Sequence, residues 1–469
     1  MQYSIVKHND LEKGSLRFDP EYYHPLNLSL LRTLSKKEHA QIGDFSFVTD
    51  GIHASIDFDE NSGINLLSAK APKENYFDLS GTGFISKTQD ESNKRTRLKE
   101  GDIVISTVGT IGNTAVVGES ILPANTDRHV GIIRVKQDYQ PYFVSSFLLS
   151  KYGRFQTFRE STGNVQLNLF IYKIKEIVLP KASKEFQNYI QELCVRADNL
   201  RRQSIEYYSQ AEELLLAELG LAEWKPRQKL TFVKRYSETQ NAERFDADYF
   251  QPKYEEIVSA IKKYKGGFEE LGNIAKVKKS VEPGSDAYQE SGVPFVRVSN
   301  LSKFELSDNN QQFISDELYA DLKTHQPKQG EILLSKDATL GVAYYLREKP
   351  EKMIVSGGIL RLQTSDENIL PEYLTLVLNS MVVQKQIERD AGGSIINHWR
   401  PDQVKATLIP LLREEKQQEI KKLVDVSFDS RIRSKALLEI AKRGVELAIE
   451  KDEKTAEKWI DEETIKLKA

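Results

Sequence analysis

Two hydrophobic patterns alternate along this chain of 469 residues. Short apolar runs rich in β-branched side chains, bounded by Gly, Asn and Ser, predict buried strands over 102–106 and 332–335. Longer stretches carry apolar positions at alternating steps of four and three. Phe186, Ile190, Leu193, Ala197, Leu200, Ser204, Tyr207, Ala211 and Leu214 trace one such stripe, which predicts a coiled-coil helix from Ser183 to about Leu219. A second, over about 413–450, places Ile420, Leu423, Leu437, Ala441 and Ala448 at compatible spacing, with Ser427, Ser430, Ser434 and Gly444 between them. Its stripe drifts through Val424, Phe428 and Ile432. Each helix would span on the order of 55 Å, and the two are expected to pair with each other. Further helices are predicted over 141–152 and 371–389, each with Pro in its first turn. Short strands are expected at 3–7 and 230–234, and others ending at Pro180 and Pro410. Residues 451–469 read as a charged, loosely held helix or tail.

These patterns occur twice. Arg17-Phe18-Asp19-Pro20-Glu21-Tyr22-Tyr23-His24-Pro25 returns 227 positions later as Arg244-Phe245-Asp246-Ala247-Asp248-Tyr249-Phe250-Gln251-Pro252. Gly101-Asp102-Ile103-Val104-Ile105-Ser106 returns as Gly330-Glu331-Ile332-Leu333-Leu334-Ser335. Ile111-Gly112, Gly131-Ile132, Thr162-Gly163, Leu179-Pro180 and Gln187 find counterparts in Leu340-Gly341, Gly358-Ile359, Gly392-Gly393, Ile409-Pro410 and Gln417. A chain written twice is suited to binding in pairs. The expected division is 1–182, a first helix 183–220, then 221–412, a second helix 413–450, and the tail 451–469.

Composition narrows the class. With 39% hydrophobic and 29% charged residues, the chain has the balance of a globular protein. No apolar run reaches membrane-spanning length and no signal peptide is evident, so a cytoplasmic location is expected. The lone cysteine, Cys194, excludes a disulfide framework within the chain. A net charge of −3 argues against a free-standing nucleic-acid binder, although basic residues cluster at 94–99, 225–235 and 276–279.

The marks of catalysis are missing. There is no phosphate-binding loop of the G-x-x-x-x-G-K-[ST] kind and no Asn/Asp-Pro-Pro-aromatic box for an exocyclic amine. Gly81-Thr82-Gly83 and the glycines at 109–112 are better explained as turns. The seven histidines lack metal-ligand spacing. Asp402 with Glu414, Glu415 and Lys416 mimics a nuclease pattern, but the last three begin a helix. The expectation is a chain with no catalytic residues and no metal of its own.

The order of the repeated motifs resembles the specificity (S) subunit of type I restriction-modification systems. The Arg-Phe-Asp-x-x-Tyr-aromatic-x-Pro box opens each half, and Gly-acidic-Ile-aliphatic-aliphatic-Ser marks its middle. A polar Gly loop, a strand ending in Pro180 or Pro410, and then Gln187-x-x-Ile190 or Gln417-x-x-Ile420 close it. One departure is that the Glu-Gln pair usual before the helix reads Phe186-Gln187 and Lys416-Gln417 here. The resemblance implies an α+β, mixed α/β architecture: two pseudo-repeated target recognition domains joined by two long antiparallel coiled-coil helices. It implies a non-catalytic reader of a bipartite, asymmetric double-stranded DNA site. The partners would be two adenine-N6 methyltransferase (M) subunits and restriction (R) subunits, with S-adenosylmethionine, ATP and Mg belonging to those partners. Two alternatives stay open: the specificity subunit of a system whose partner fuses methylation and cleavage, or an enzyme with an unrecognised nuclease or methyltransferase site. A scaffold without nucleic-acid contact is a further rival.

Base readout needs Arg, Lys, Asn, Gln, Ser or Thr on loops where the backbone can approach base edges. The candidates in the first half are His53, Ser55, Lys70, Lys94, Arg95, Arg97, Thr110, Asn113, Arg128, Asn164, Gln166 and Asn168. In the second half they are Lys278, Lys279, Arg297, Asn300, Lys336, Thr339, Ser394, Asn397, His398 and Arg400. The loops 161–168 and 392–400 stand out as sets. Partner docking is expected at Arg17, Phe18, Tyr22 and Tyr23, and again at Arg244, Phe245, Tyr249 and Phe250.

Overall fold

The structure, a computed structural model, describes residues 5–8, 11, 17–136, 138–163, 166–391 and 397–467. The chain forms two compact units, one of residues 1–202 and 430–469, the other of residues 203–429. Each unit contains one half of each long helix, α1 (Lys184–Glu218) and α2 (Glu414–Glu450).

The same sheet is built in both units. In the first, β1 (Ser46–Asp50), β2 (Ile103–Ser106), β3 (Thr114–Val116) and β4 (Val130–Val135) form an antiparallel sheet in the order β1-β4-β2-β3. In the second, β5 (Ala275–Lys278), β6 (Ile332–Ser335), β7 (Ala343–Tyr345) and β8 (Ile359–Thr364) repeat that order as β5-β8-β6-β7. The central strands β2 and β6 are buried along their whole length. Both of their faces are covered, which is why their sequences run apolar without alternating. A three-stranded mixed sheet and a two-stranded ribbon complete each unit, the ribbon pairing His39–Gln41 with Val178–Pro180, or Phe268–Glu270 with Leu408–Pro410.

The repeated Gly-acidic pair explains itself here. Gly101 and Gly330 take φ of +82° and +86°, a region open to glycine without steric cost. The following carboxylate closes the turn: the Lys99 N–H donates to Asp102 at 2.8 Å, and the Lys328 N–H to Glu331 at 3.0 Å. Both acids are buried and paired, Asp102 with Arg134 through two bonds of 2.7 Å, Glu331 with Lys278 at 3.0 Å. The motif is therefore part of the frame.

Several expectations change. The segment 230–234 forms no strand, and Leu230 and Val233 are almost fully exposed. Residues 5–7 likewise form none, and 1–4 lie outside the described residues. Each predicted mid-unit helix is broken in two, at Ser150 (Pro141–Leu149, Lys151–Glu160) and at Ser380 (Pro371–Asn379, Met381–Asp390). Both serines adopt extended backbone, and Ser150 Oγ caps the next helix at Gly153. Residues Glu453–Lys466, read as part of a loosely held helix or tail, form a helix that is not loose, since it buries Ala456 and Ile460 against the first unit's core.

Within the first unit the two long helices run antiparallel: Ile190 lies near Gly444, and Ser434 Oγ donates to the Ala197 carbonyl at 2.7 Å. The second unit repeats the contact, with Ser427 Oγ donating to the Ser204 carbonyl at 2.7 Å. Small residues let the backbones approach there. Beyond Ser204 the buried stripe moves by one residue, to Tyr208 and Leu215 instead of Tyr207 and Leu214. A straight helix of 3.6 residues per turn drifts by about 20° per heptad from a 3.5 repeat, and the second unit's own core takes up the drifted face.

Cys194 packs on this seam in the first unit, buried, with Ser146 Oγ at 3.5 Å. Burial pushes its thiol up to about 12. A thiol reagent is therefore expected to leave the folded chain unlabelled at pH 8 and to label one site in denaturant. Stoichiometric labelling of the native protein within minutes would contradict this burial.

Candidate nucleic-acid interface

Antiparallel pairing brings the C-terminal ends of β1 and β2 to the same end of the sheet as the N-terminal end of β4, since Asp50 lies opposite Gly131 and Ser106 opposite Val130. Loops leaving these ends form a rim. Ser106 Oγ and Thr110 Oγ1 both donate to the Ala69 carbonyl, at 2.7 and 3.2 Å, which fixes Lys70 beside Thr110. The Thr107 N–H donates to the His129 carbonyl, and the Leu169 N–H to the Thr107 carbonyl. Asn168 pairs its backbone with Thr162 in both directions, so the two ends of the polar Gly loop meet at the same place. His53 Nε2 lies 2.6 Å from Asp50, and Arg95 donates to the Asp50 carbonyl at 3.1 Å. Burial works against ionisation of Asp50, but the bond to His53 and the charge of Arg95 hold its carboxyl below the usual carboxylate range.

Most of the first unit's candidates thus meet at one rim: His53, Lys70, Arg95, Thr110, Arg128, Gln166 and Asn168. Ser55 and Lys94 are exposed on neighbouring loops, the Ser55 carbonyl accepting from Gln89. Two candidates serve the frame instead. Arg97 is tied to Asp90, which also accepts from the buried Asn125 amide. Asn113 accepts from Arg154 at 2.7 Å. Asn164 lies outside the described residues.

The second unit builds the same rim with other side chains. The Lys336 N–H donates to the Gly358 carbonyl at 2.9 Å, and the Trp399 N–H to the Lys336 carbonyl at 2.8 Å. Position for position these match the Thr107–His129 and Leu169–Thr107 bonds, and the strand register agrees: Ser106 faces Val130 and Ser335 faces Ile359, so Gly358 answers to His129 and Gly131 to Leu360, not Gly131 to Gly358 as the motif order suggested. Asp337 accepts from Lys336 and pairs with His398 Nδ1 at 2.7 Å. Burial opposes its ionisation, and those two bonds still hold its carboxyl below the usual range. The Ala338 N–H donates to the Asn397 carbonyl. Ala338 sits at φ +59° where the first unit has Gly109 at +72°. Left-handed backbone costs an L residue roughly 1–2 kcal/mol, so this rim carries strain that the first does not. Lys336, Thr339, Asn397, His398 and Arg400 come together, with Thr339, Asn397, His398 and Arg400 exposed.

Of the remaining candidates, Lys278 turns away from that rim. The ammonium of Lys278 is drawn to Glu331, towards the opposite end of β6. Asn300 is 1% exposed, with its oxygen accepting from the Arg297 N–H and its amide donating to the Asn309 carbonyl, so it shapes a turn. Arg297 is half-buried and donates to the Asn310 carbonyl. Lys279 is exposed. Ser394 lies outside the described residues. Sequence reasoning passed over Asp50, Asp127, His129 and Asp337. The signal for one was present: Asp-x-His directly before a strand is an Asx turn, and the His129 N–H does donate to Asp127 at 2.8 Å.

The Arg-Phe-Asp boxes form two matching clasps. Arg17 grips Asp19 through two bonds of 2.8 and 2.7 Å and lies 4.6 Å over the Tyr22 ring, while Arg159 stacks on that ring at 3.5 Å. Arg244 grips Asp246 at 2.7 Å twice, lies 4.6 Å over Tyr249, and Arg389 approaches the ring at 5.5 Å. The docking candidates therefore divide. Tyr22, Tyr23 and Phe250 are buried, Tyr249 is half-buried, and Arg17 and Arg244 are spent on the clasp. Phe18 and Phe245 project from it, each 73% exposed. The Arg17 guanidinium reaches the Arg159 carbonyl at 2.9 Å, just before the first rim's polar loop. In the second unit a groove of about 560 Å³ joins Arg244 and Tyr249 to His398 and Arg400. Clasp and rim are contiguous in each unit.

Among the described residues no group of three or more His, Cys, Asp or Glu is placed to hold a metal ion, and no helix is long and apolar enough to cross a membrane.

The type I restriction modification DNA specificity domain model matches residues 29–199 and again 266–441. No curated protein matches. Solved structures similar to this chain include a type I restriction-modification system S subunit from M. genitalium, at 12% identity and a TM-score of 0.41, covering 88% of this chain and 94% of the other. The HsdS subunit from Thermoanaerobacter tengcongensis matches at 14% identity and a TM-score of 0.28, covering 88% and 97%.

Proposed function

The chain belongs to the type I restriction-modification DNA specificity family, and from that premise we propose that each of its two rims reads one half of a bipartite, asymmetric DNA site. The observation that carries this reading is the repeated frame with unlike rims. The backbone bonds recur in both units, while Thr107, Arg128, His129 and Leu169 give way to Lys336, Gly357, Gly358 and Trp399. A frame repeated without its polar chemistry suits two different half-sites.

Two matching clasps suit two copies of one partner, the methyltransferase subunit, with restriction subunits joining that assembly. The adenine chemistry, with its S-adenosylmethionine and flipped base, resides in the partner, as do ATP and Mg. This chain contributes no catalytic group. Its net charge of −3 fits that division, since partner subunits then supply much of the phosphate contact and this chain the base contacts.

Methylome sequencing of a host expressing this chain with its methyltransferase partner tests the reading. A bipartite adenine-methylated motif that vanishes without this chain is expected. Exchanging residues 50–170 for those of a homologue should change one half of the motif and leave the other intact. A motif indifferent to that exchange, or turnover by the purified chain alone with S-adenosylmethionine or with Mg and plasmid, would overturn it.

A further inference from the structure

Resting on the reading above, we propose that Arg128 reads a guanine edge in the major groove of one half-site, at a position for which the second unit has no counterpart. The backbone sets the correspondence. The carbonyl of His129 accepts from Thr107, and the carbonyl of Gly358 accepts from Lys336, so Arg128 and Gly357 occupy the same place in the two rims.

Three observations single out Arg128. Its turn is held firmly: the Asp127 N–H donates to the Leu67 carbonyl at 3.0 Å, Asp127 bridges Ile52, and the His129 N–H and ring both engage the Asp127 carboxylate. A side chain on such a pedestal loses little freedom on binding. Next, other arginines of the first unit are committed to carboxylates: Arg95 to Asp50, Arg97 to Asp90, Arg134 to Asp102, Arg154 to Glu74 and Arg159 to Glu160. Arg128 is exposed and has, among the described residues, one long bond of 3.4 Å from Nε to His129 Nε2. That leaves the two terminal nitrogens open, the fork that matches guanine O6 and N7. Finally, the second unit has glycine at both this place and the next, where added side chains would be crowded. A Cβ on Gly358 would meet Val298 at 2.9 Å, and one on Gly357 would meet Glu282 at 3.3 Å.

The test uses the full chain with its methyltransferase partner. The wild-type motif is expected to hold a guanine at one position of one half-site. R128A should make that position degenerate and leave the other half unchanged. Affinity for the cognate duplex should fall roughly ten- to a hundredfold, with R128K in between. Because Arg128 is exposed, the melting temperature should not move; if R128A does not accumulate, R128Q is read the same way. An unchanged motif in R128A overturns the assignment. So does equal weakening on every sequence with a shallower salt dependence, which marks a phosphate contact. A wild-type chain yielding no bipartite motif defeats the functional reading itself, an outcome distinct from either.

Discussion

Replacing Asp102 by alanine is expected to destabilise the first unit by about 3 kcal/mol, the lower end for breaking a buried ion pair. Asp102 is 1% exposed and has two tasks, accepting the Lys99 N–H and receiving both bonds from Arg134. Alanine leaves a largely buried guanidinium unpaired and a turn donor unsatisfied. Because Arg134 keeps some access to water, the loss should stay near the lower bound. D102N retains an acceptor for the turn and should lose less. The change should be local, with hydrogen exchange accelerating in β2 and β4 before β6 and β8. The corresponding E331A should reverse that order. Urea unfolding of D102A within 0.5 kcal/mol of wild type would show that the pair is not the support described.

The second large effect is expected at Phe18 and Phe245. An aromatic ring exposed on a rigid support is the form of an interface anchor, for which truncation typically costs 2 kcal/mol or more, about thirtyfold in affinity. Neither ring packs in the isolated chain, so F18A and F245A should melt with the wild type. Coexpressed with the methyltransferase subunit, each single variant should purify with one partner and the double variant with none, read by native mass spectrometry. A double variant that still carries two partners would remove the clasps from the docking surface. The Arg-Asp pair predicts a companion result, because R17A or R244A loosens the support and should weaken docking without removing the ring.

Much of this molecule was legible in order of residues alone. The duplication, the central strands and the long helices all rest on local pattern: a run of β-branched residues or a stripe at helical spacing reports burial wherever it occurs. Less local features escaped. The breaks at Ser150 and Ser380 lie inside apolar stretches that fit one continuous helix. The helix Glu453–Lys466 read as loosely held because its few apolar residues, Ala456 and Ile460 among them, are dispersed among charges. Among the candidate readers, Arg97, Lys278 and Asn300 have the right chemistry but are held by Asp90, Glu331 and Asn309. Those partners lie 7, 53 and 9 positions away, and nothing in composition or spacing marks them.

The division follows from the range of the interactions. Residue order already showed two like units, the strands and long helices that build them, and the residue types that could meet DNA. Periodicity and repetition are properties of neighbouring positions and need no knowledge of contacts. It took the folded chain to show which of those residues reach the rim, that the Arg-Phe-Asp box is a clasp presenting one phenylalanine, and that the place of Arg128 in one unit is held by a glycine in the other. A charged side chain is available for recognition only when no nearer partner claims it, and that depends on which distant segments the fold brings alongside.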